Sequence, residues 1–380
     1  MNSKQLLNTK NSVPVTSKVS IAHFYNYCLQ KAVPFAFYRL PDTDKVNVIA
    51  QKTPVAKKLS FSKSTVSASG FVFAPFTESR DYYKVLIAPD IACTASTLPA
   101  LNFAKTCMVT QKVTKQTLKE TGKSAYKKLV HKISKQATEK KFSKVIAARV
   151  IKTQKPADFD VVNLFTRLCK KYPHAFVSLV YTNEFGLWIG ASPEILLKVE
   201  KGTYKTYSLA GTKANNKENL NKAWGIKELD EQAIVTKYIT KELAKVTEHP
   251  LKVTGPETTE AGNLLHLRTT ISYKGNNAHG WQSAVKALHP TPAVAGLPKQ
   301  KAIDFILKHE KAPRSFYSGY LGPVNLNGQI NLYVNLRCMQ VLKNKLAVYV
   351  GCGVTASSNP ELEWRESKIK SETLLSVLKA

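Results

Sequence analysis

Carboxylates are scarce in this chain, so their grouping carries information. Of 380 residues, 26 are acidic and 56 basic. Even so, Glu228 and Glu231 lie three residues apart, and Glu363 and Glu366 repeat that spacing. On a helix, positions i and i+3 are neighbours on one side, and Lys370 falls one turn beyond Glu366 on the same side. Four carboxylates facing one another from two helices would form a hard-oxygen site suited to Mg²⁺, an ion that keeps several waters and bridges to anionic groups. The same spacing also suits ordinary surface charge near a helix start, where the helix dipole favours acids.

Glycines interrupt apolar runs at Leu209-Ala210-Gly211-Thr212, between Gly319 and Gly322, and at Gly351-Cys352-Gly353. With no side chain in the way, their N–H groups can approach a carboxylate closely, although many such glycines only make turns. The block His289-Pro290-Thr291-Pro292-Ala293-Val294-Ala295-Gly296 holds two prolines and a glycine, and reads as a stiff loop that positions something. Six scattered cysteines form no CxxC pair and no zinc-finger spacing with histidine, as expected of reduced, mostly buried thiols.

The elements that must hold these groups follow from hydrophobic patterning. Residues 1 to about 110 mix short β-rich runs (Phe35 to Leu40, Val46 to Ala50, Gly70 to Phe76, Tyr83 to Ala88) with Ser/Thr/Pro turns, and nothing among them looks catalytic. Between Ser124 and Lys140, Tyr126, Leu129, Val130, Ile133 and Ala137 recur at helical spacing under a lysine-rich outer face. A strand is expected over Lys144 to Ile151 and a helix over Ala157 to Lys171. Strands follow at Phe176 to Tyr181, Leu187 to Gly190, Ile195 to Val199 and Tyr204 to Leu209. Next come a helix over Glu228 to Val246, a strand over Leu265 to Tyr273 and a helix over Lys299 to Lys311. Strands at Ser315 to Pro323, Gln329 to Val341 and Lys345 to Gly351 precede a last helix after Pro360. Meanders punctuated by single helices, without regular β-α-β alternation, imply an α+β layered sandwich. No linker or repeat divides the chain, so one domain over 1–380 is expected.

The formal charge of +30 first suggests a polyanionic partner. Only eight of the basic residues are arginine, the side chain that reads guanine edges and clamps phosphate bidentately, so specific nucleic-acid readout is disfavoured. The stretch from Lys112 to Lys144 holds eleven lysines and two glutamates, which fits a solvated helix face or a polyanion-binding patch. The amino terminus lacks the apolar stretch of a secretory signal, and no run of about eighteen apolar residues could span a membrane. A cytoplasmic protein is the expectation.

Ten motifs then occur in one order: FSKVIAAR (142–149), GASPEILL (190–197), LAGT (209–212), KELDEQAIV (227–235), LLHLRTTI (264–271), HPTPAVAG (289–296), RSFYSGYLG (314–322), NLRC (335–338), GCGV (351–354) and PELEWRESKIK (360–370). The series resembles the chorismate-utilising enzymes, isochorismate synthases above all, over roughly residues 112–378. The resemblance implies a single chorismate-binding domain built as an α/β/β/α sandwich of mostly antiparallel sheets.

It also implies roles. Lys144 matches the base that activates water for attack at C2 of chorismate, and Glu194 the acid that protonates the departing C4 hydroxyl. Such a lysine must be neutral and such a glutamic acid needs a raised pKa. Glu231 and Glu366 match ligands of Mg²⁺, with Glu228 and Glu363 acting through water. Tyr317 and Arg337 match the pair that receives the enolpyruvyl carboxylate, while Gly211, Thr212, Ala293, Gly351 and Gly353 line the pocket. His266 and Lys370 are placed near substrate, against the plainer readings of a core histidine and a structural ion pair.

Ala210 stands where aminodeoxychorismate synthases carry lysine, Lys144 is absent from anthranilate synthases, and the HPTPA block separates this chain from salicylate synthases. Gln232 departs from the histidine that many relatives carry. The implied activity is Mg²⁺-dependent isochorismate synthesis by a monomer with no glutaminase subunit, feeding menaquinone or siderophore and salicylate routes. Salicylate synthase, which adds pyruvate elimination, is the alternative within this chemistry. A lysine-rich polyanion-binding protein is the alternative from another class.

Overall fold

A computed structural model describes residues 19–62, 67–99, 118–261, 264–275 and 280–378. Among the described residues the chain builds two nine-stranded sheets in which every pairing is antiparallel. The first runs, in spatial order, through Gly296–Leu297, Lys144–Gln154, Lys345–Val354, Cys338–Val341, Gly186–Ser192, Phe176–Thr182, Phe35–Arg39, Val46–Ala50 and Ile91–Thr94. The second runs through Lys252–Ala261, Leu264–Lys274, Thr203–Ala214, Ile195–Glu200, Ile330–Val334, Tyr320–Val324, Gly70–Ala74, Val85–Ile87 and Lys57–Lys58.

The period-two alternation of a strand sorts its side chains between two cores. In Phe176–Thr182, Val177, Leu179 and Tyr181 point to an outer layer made by the helices Ile21–Gln30, Val161–Lys171 and the end of Pro360–Leu378. Phe176 and Val180 point inward to the second sheet, where Phe176 stacks on Tyr333 with ring centroids 4.2 Å apart. Both faces are covered, which is why such strands read as unbroken apolar runs. Each fully buried large side chain contributes roughly 1.5–3 kcal/mol. The outer face of the second sheet is closed by Val235, Ile239 and Leu243 of the helix Ile226–Leu243 and by Trp281 and Val285 of Gly280–Leu288. The layering is therefore α/β/β/α, an α+β fold.

A further core sits beside the start of Lys144–Gln154. There Tyr126, Leu129, Val130 and Ile133 of the helix Lys123–Thr138 meet Phe142 and the helix Lys299–His309. The apolar stripe expected between Ser124 and Lys140 is thus buried, and two residues on the lysine-rich side, Lys123 and Lys127, pair with Glu361 at 2.9 and 3.1 Å. Lys112 to Thr117, and Cys107, lie outside the described residues.

Several elements differ from the sequence expectation. Residues 1–110, read as sheet, include the helix Ile21–Gln30, whose cap Ser20 accepts from the His23 backbone N–H. Lys252–Ala261 and Gly280–Leu288 were not expected. The first is an edge strand whose residues are mostly exposed and polar, so it carries no apolar alternation. The run Gln329 to Val341 is two strands, divided where Arg337 takes a positive φ of 47°. Ser315 and Ser318 also have positive φ, 46° and 61°, so the strand expected from Ser315 begins only at Tyr320.

Candidate active site

Lys144 is the first residue of its strand, and two close approaches by glycines fix it there. On one side the strand pairs with Lys345–Val354, setting Gly353 opposite Ile146 and Gly351 opposite Ala148. On the other, Leu297 lies opposite Lys144 and Gly296 opposite Val145. Gly296, at φ 131°, sits so close that a Cβ would fall 2.2 Å from the Lys144 carbonyl oxygen. A Cβ on Gly353 would fall 2.6 Å from Lys144 Cε, and one on Gly351 would fall 2.8 Å from Tyr317 Oη. These two glycines leave the space that the lysine and tyrosine occupy. Lys144 Nζ reaches Glu231 Oε1 on the helix Ile226–Leu243 at 2.7 Å.

Glu194 stands at the entrance to the strand Ile195–Glu200. Its carbonyl accepts from the Val334 N–H at 2.9 Å, and its own N–H donates to Ser192 Oγ at 3.3 Å. Burial pushes its carboxyl up to about 7, against the opposing pull of the Lys144 ammonium and the Thr291 hydroxyl. Thr291, buried in the proline-rich loop, was not singled out from the sequence. Its carbonyl accepts from the N–H groups of Val294 and Ala295 at 3.1 and 2.9 Å, so the loop carrying Ala293 folds back as one tight turn beside Glu194.

The acidic pairs are placed differently from each other. Ligand-type atoms of Glu363 and Glu366, on the helix Pro360–Leu378, and of Cys352, on the strand Lys345–Val354, all lie within 4.8 Å of one another. Burial, with Glu366 adding to it, raises the Glu363 carboxyl, against Ser358 and the lysines 370 and 144, and Glu363 Oε2 is buried without a hydrogen-bond partner. Lys370 Nζ pairs with Glu366 Oε1 at 2.7 Å and donates to the Gly351 carbonyl at 3.2 Å. Burial alone would lower the pKa of Lys370, but the neighbouring Cys352 and Glu366 outweigh it and the net shift is upward. Glu231 and Glu228 fall outside this group of three. Glu228 turns back on its own helix start, where a Cβ on Gly225 would meet its Oε2 at 2.6 Å.

His266 joins the two sides. Its Nδ1 lies 2.9 Å from the Gly211 carbonyl, which can only accept, so Nδ1 carries the proton and Nε2 the lone pair in the neutral ring. Burial lowers its pKa, with Arg337 and Lys370 reinforcing and the Gly211 contact and Glu231 opposing. Gly211 has φ 68° at a bulge in the pairing of Thr203–Ala214. The Thr212 side chain lies outside what the structure describes. Arg337 donates to Thr373 Oγ1, and burial lowers its pKa from the ordinary value. Buried Tyr317 has its hydroxyl pushed up by desolvation. Gln232 does not face this group: its Nε2 donates to the Ser208 carbonyl, Ser208 Oγ and Thr269 Oγ1 at 2.8–3.0 Å, joining the helix to the sheet.

The fold thus gathers a lysine, a carboxyl titrating near neutrality, paired glutamates and the cations Lys370 and Arg337 around the ends of a few strands. Such a set can bind a small anion-bearing molecule and move protons on it. Cys352, between the two expected glycines, is the other member that spacing alone did not single out.

The model of the family described as chorismate binding enzyme matches residues 85–379. Isochorismate synthase EntC of Escherichia coli (strain K12) is 30% identical over 242 residues, 62% of this chain and 62% of that protein. Anthranilate synthase component 1 of Streptomyces coelicolor is 31% identical over 202 residues, 50% of this chain and 39% of that protein. The match therefore spans about three fifths of EntC and less of the other. The structure of MenF, the menaquinone-specific isochorismate synthase from Escherichia coli, superposes with a TM-score of 0.74 at 21% identity, over 92% of this chain and 89% of that one. With the family model extending over most of its length and a shared two-sheet fold, the chain belongs to the chorismate binding enzyme family.

Proposed function

We propose that the protein is an isochorismate synthase, an isomerase that moves the hydroxyl of chorismate from C4 to C2. The observation that carries this reading is a buried carboxyl, Glu194, raised to about 7 by desolvation while lying close enough to the Lys144 amine to feel its charge. A base and an acid of this kind suit water attack at one ring carbon and hydroxyl departure from another. Lys144 takes a proton from the attacking water as the new C2–O bond forms, and both ring double bonds shift, C1=C2 to C1=C6 and C5=C6 to C4=C5. The C4–O bond breaks as Glu194 gives its proton to the leaving oxygen. One water enters and one leaves, so substrate and product are isomers. Lys144 then holds the proton that Glu194 lacks, and exchange with solvent resets both.

The donors present fit Mg²⁺, because the carboxylates of Glu363 and Glu366 are hard oxygens and Glu363 Oε2 is buried without a partner. We assign the ion to Glu366 and Glu231, with Glu363 and Glu228 acting through water. Bound there, Mg²⁺ would supply positive charge for the ring carboxylate of chorismate. Arg337 and Tyr317 receive the enolpyruvyl carboxylate. We take the protein to act alone on chorismate, its product serving menaquinone or siderophore and salicylate synthesis.

Incubation with chorismate and Mg²⁺ followed by separation of products is expected to yield isochorismate. Its absence, with a Lys144→Ala variant behaving like wild type, would overturn the reading, and salicylate plus pyruvate in the same assay would transfer it to salicylate synthase. Calorimetric titration is expected to show Mg²⁺ binding weakened roughly 10–100-fold in Glu363→Gln. Unchanged binding would remove Glu363 from the scheme. Gly353→Ala places a methyl group 2.6 Å from Lys144 Cε, and is expected to lower kcat by roughly 100-fold, the cost of misplacing a reacting group by about 1 Å. A kcat within threefold of wild type would mean that Lys144 can yield without loss.

A further inference from the structure

Glu310 and Arg314 form an ion pair with side chains only 6% and 3% exposed, and no step above uses it. The pair is bidentate: Arg314 Nε donates to Glu310 Oε2 at 2.8 Å and Nη2 to Oε1 at 2.6 Å. The other bonds run to two segments of the site. Arg314 Nη2 donates to the Ile146 carbonyl at 2.7 Å, and Nη1 to the Val294 carbonyl at 2.6 Å. Glu310 Oε1 also accepts from the Ala148 N–H at 2.9 Å. Ile146 lies two residues from Lys144, and Val294 lies three from Thr291, the hydroxyl beside Glu194.

A buried ion pair of this kind adds little stability compared with well-packed apolar residues of similar size. What an apolar pair cannot do is hold two backbone carbonyls and an N–H of separate segments at set positions. We propose that Glu310 and Arg314 are positioning residues for the acid–base pair, locking the strand that starts at Lys144 to the Thr291–Ala295 turn so that amine and carboxyl face one substrate at a fixed separation. The proposal deepens the isochorismate synthase reading and rests on it for its catalytic consequence, but its structural content can be measured without substrate.

The test compares wild type with the Glu310→Met/Arg314→Met double variant, which removes both charges together, and with Arg314→Lys, which keeps the charge and loses the fork. The rate at which acetic anhydride modifies Lys144 is read by peptide mass spectrometry, with exposed Lys241 and Lys368 as references in the same digest. Release of the strand is expected to raise Lys144 acetylation roughly threefold or more, as local opening exposes the amine to the reagent. With chorismate, kcat is expected to fall roughly 10–100-fold while KM stays within about threefold, because the carboxylate contacts are untouched. Arg314→Lys is expected to fall between the two proteins on both measures. If the double variant does not fold, Arg314→Lys alone decides.

A folded variant with wild-type Lys144 reactivity overturns the proposal, and so does one whose KM rises while kcat holds. If wild type makes no isochorismate, the reaction assignment falls and the acetylation comparison still decides the positioning role.

Discussion

Lys144→Ala is expected to lower kcat for isochorismate formation by roughly 10²–10⁴-fold, the usual contribution of a positioned general base. The strand itself should survive, because its pairing with Lys345–Val354 and Gly296–Leu297 uses backbone groups. The helix Ile226–Leu243 loses only the 2.7 Å contact at Glu231, a partly exposed pair of small energetic weight. Activity should therefore collapse while the melting temperature moves little. Lys144→Arg is expected to fail as completely, since a guanidinium does not give up its proton near neutral pH. Product chromatography beside thermal melts checks both variants, and turnover within threefold of wild type in either would assign water activation to another group.

Glu194→Gln is the second large effect, and it separates catalysis from stability. The raised carboxyl, about 7 in the fold against an ordinary value of 4.5, can donate a proton only while protonated. Wild-type kcat/KM is therefore expected to fall as pH rises through about 7, and Glu194→Gln is expected to lack that limb and to lose roughly 10²–10⁴-fold of kcat/KM below it. The stability effect has the opposite sense. Because the folded pKa lies above the unfolded one, the group's contribution is fully present below about pH 4.5 and is lost as pH rises through 7. Glutamine, which never ionises, is expected to melt roughly 2–4 °C above wild type at pH 8 and to show no such gain at pH 4. Equal melting at pH 8 would mean that Glu194 bears no desolvation penalty.

The large-scale order of the fold was legible because its strands are covered on both faces and its helices on one. Phe176–Thr182 and Lys345–Val354 stand out as apolar runs, and the stripe of Lys123–Thr138 as a helical repeat. What escaped was held by contacts that leave no local pattern. Lys252–Ala261 pairs along one edge with little burial, and Ile21–Gln30 is a short helix marked mainly by its Ser20 cap. The break at Arg337 is a single backbone dihedral. In the site, the glutamate spacing was readable, but not that Glu363 and Glu366 would cluster with Cys352 while Glu231 turned to Lys144. Arg314 could be seen inside a motif, yet its bond to a carbonyl 168 positions earlier belongs to the tertiary fold.

The helix Pro360–Leu378 serves two masters, with Leu374 and Val377 in the outer core of the first sheet and Glu363, Glu366 and Lys370 in the site. During synthesis the ribosome makes this helix after every strand it packs on. No version of the site can assemble until that segment has emerged, so a nascent chain carries Lys144 and Glu194 through all of the synthesis from Ile195 to Pro360 without a complete pocket. A ligand that engages the glutamates of this helix would select for chains that have docked it.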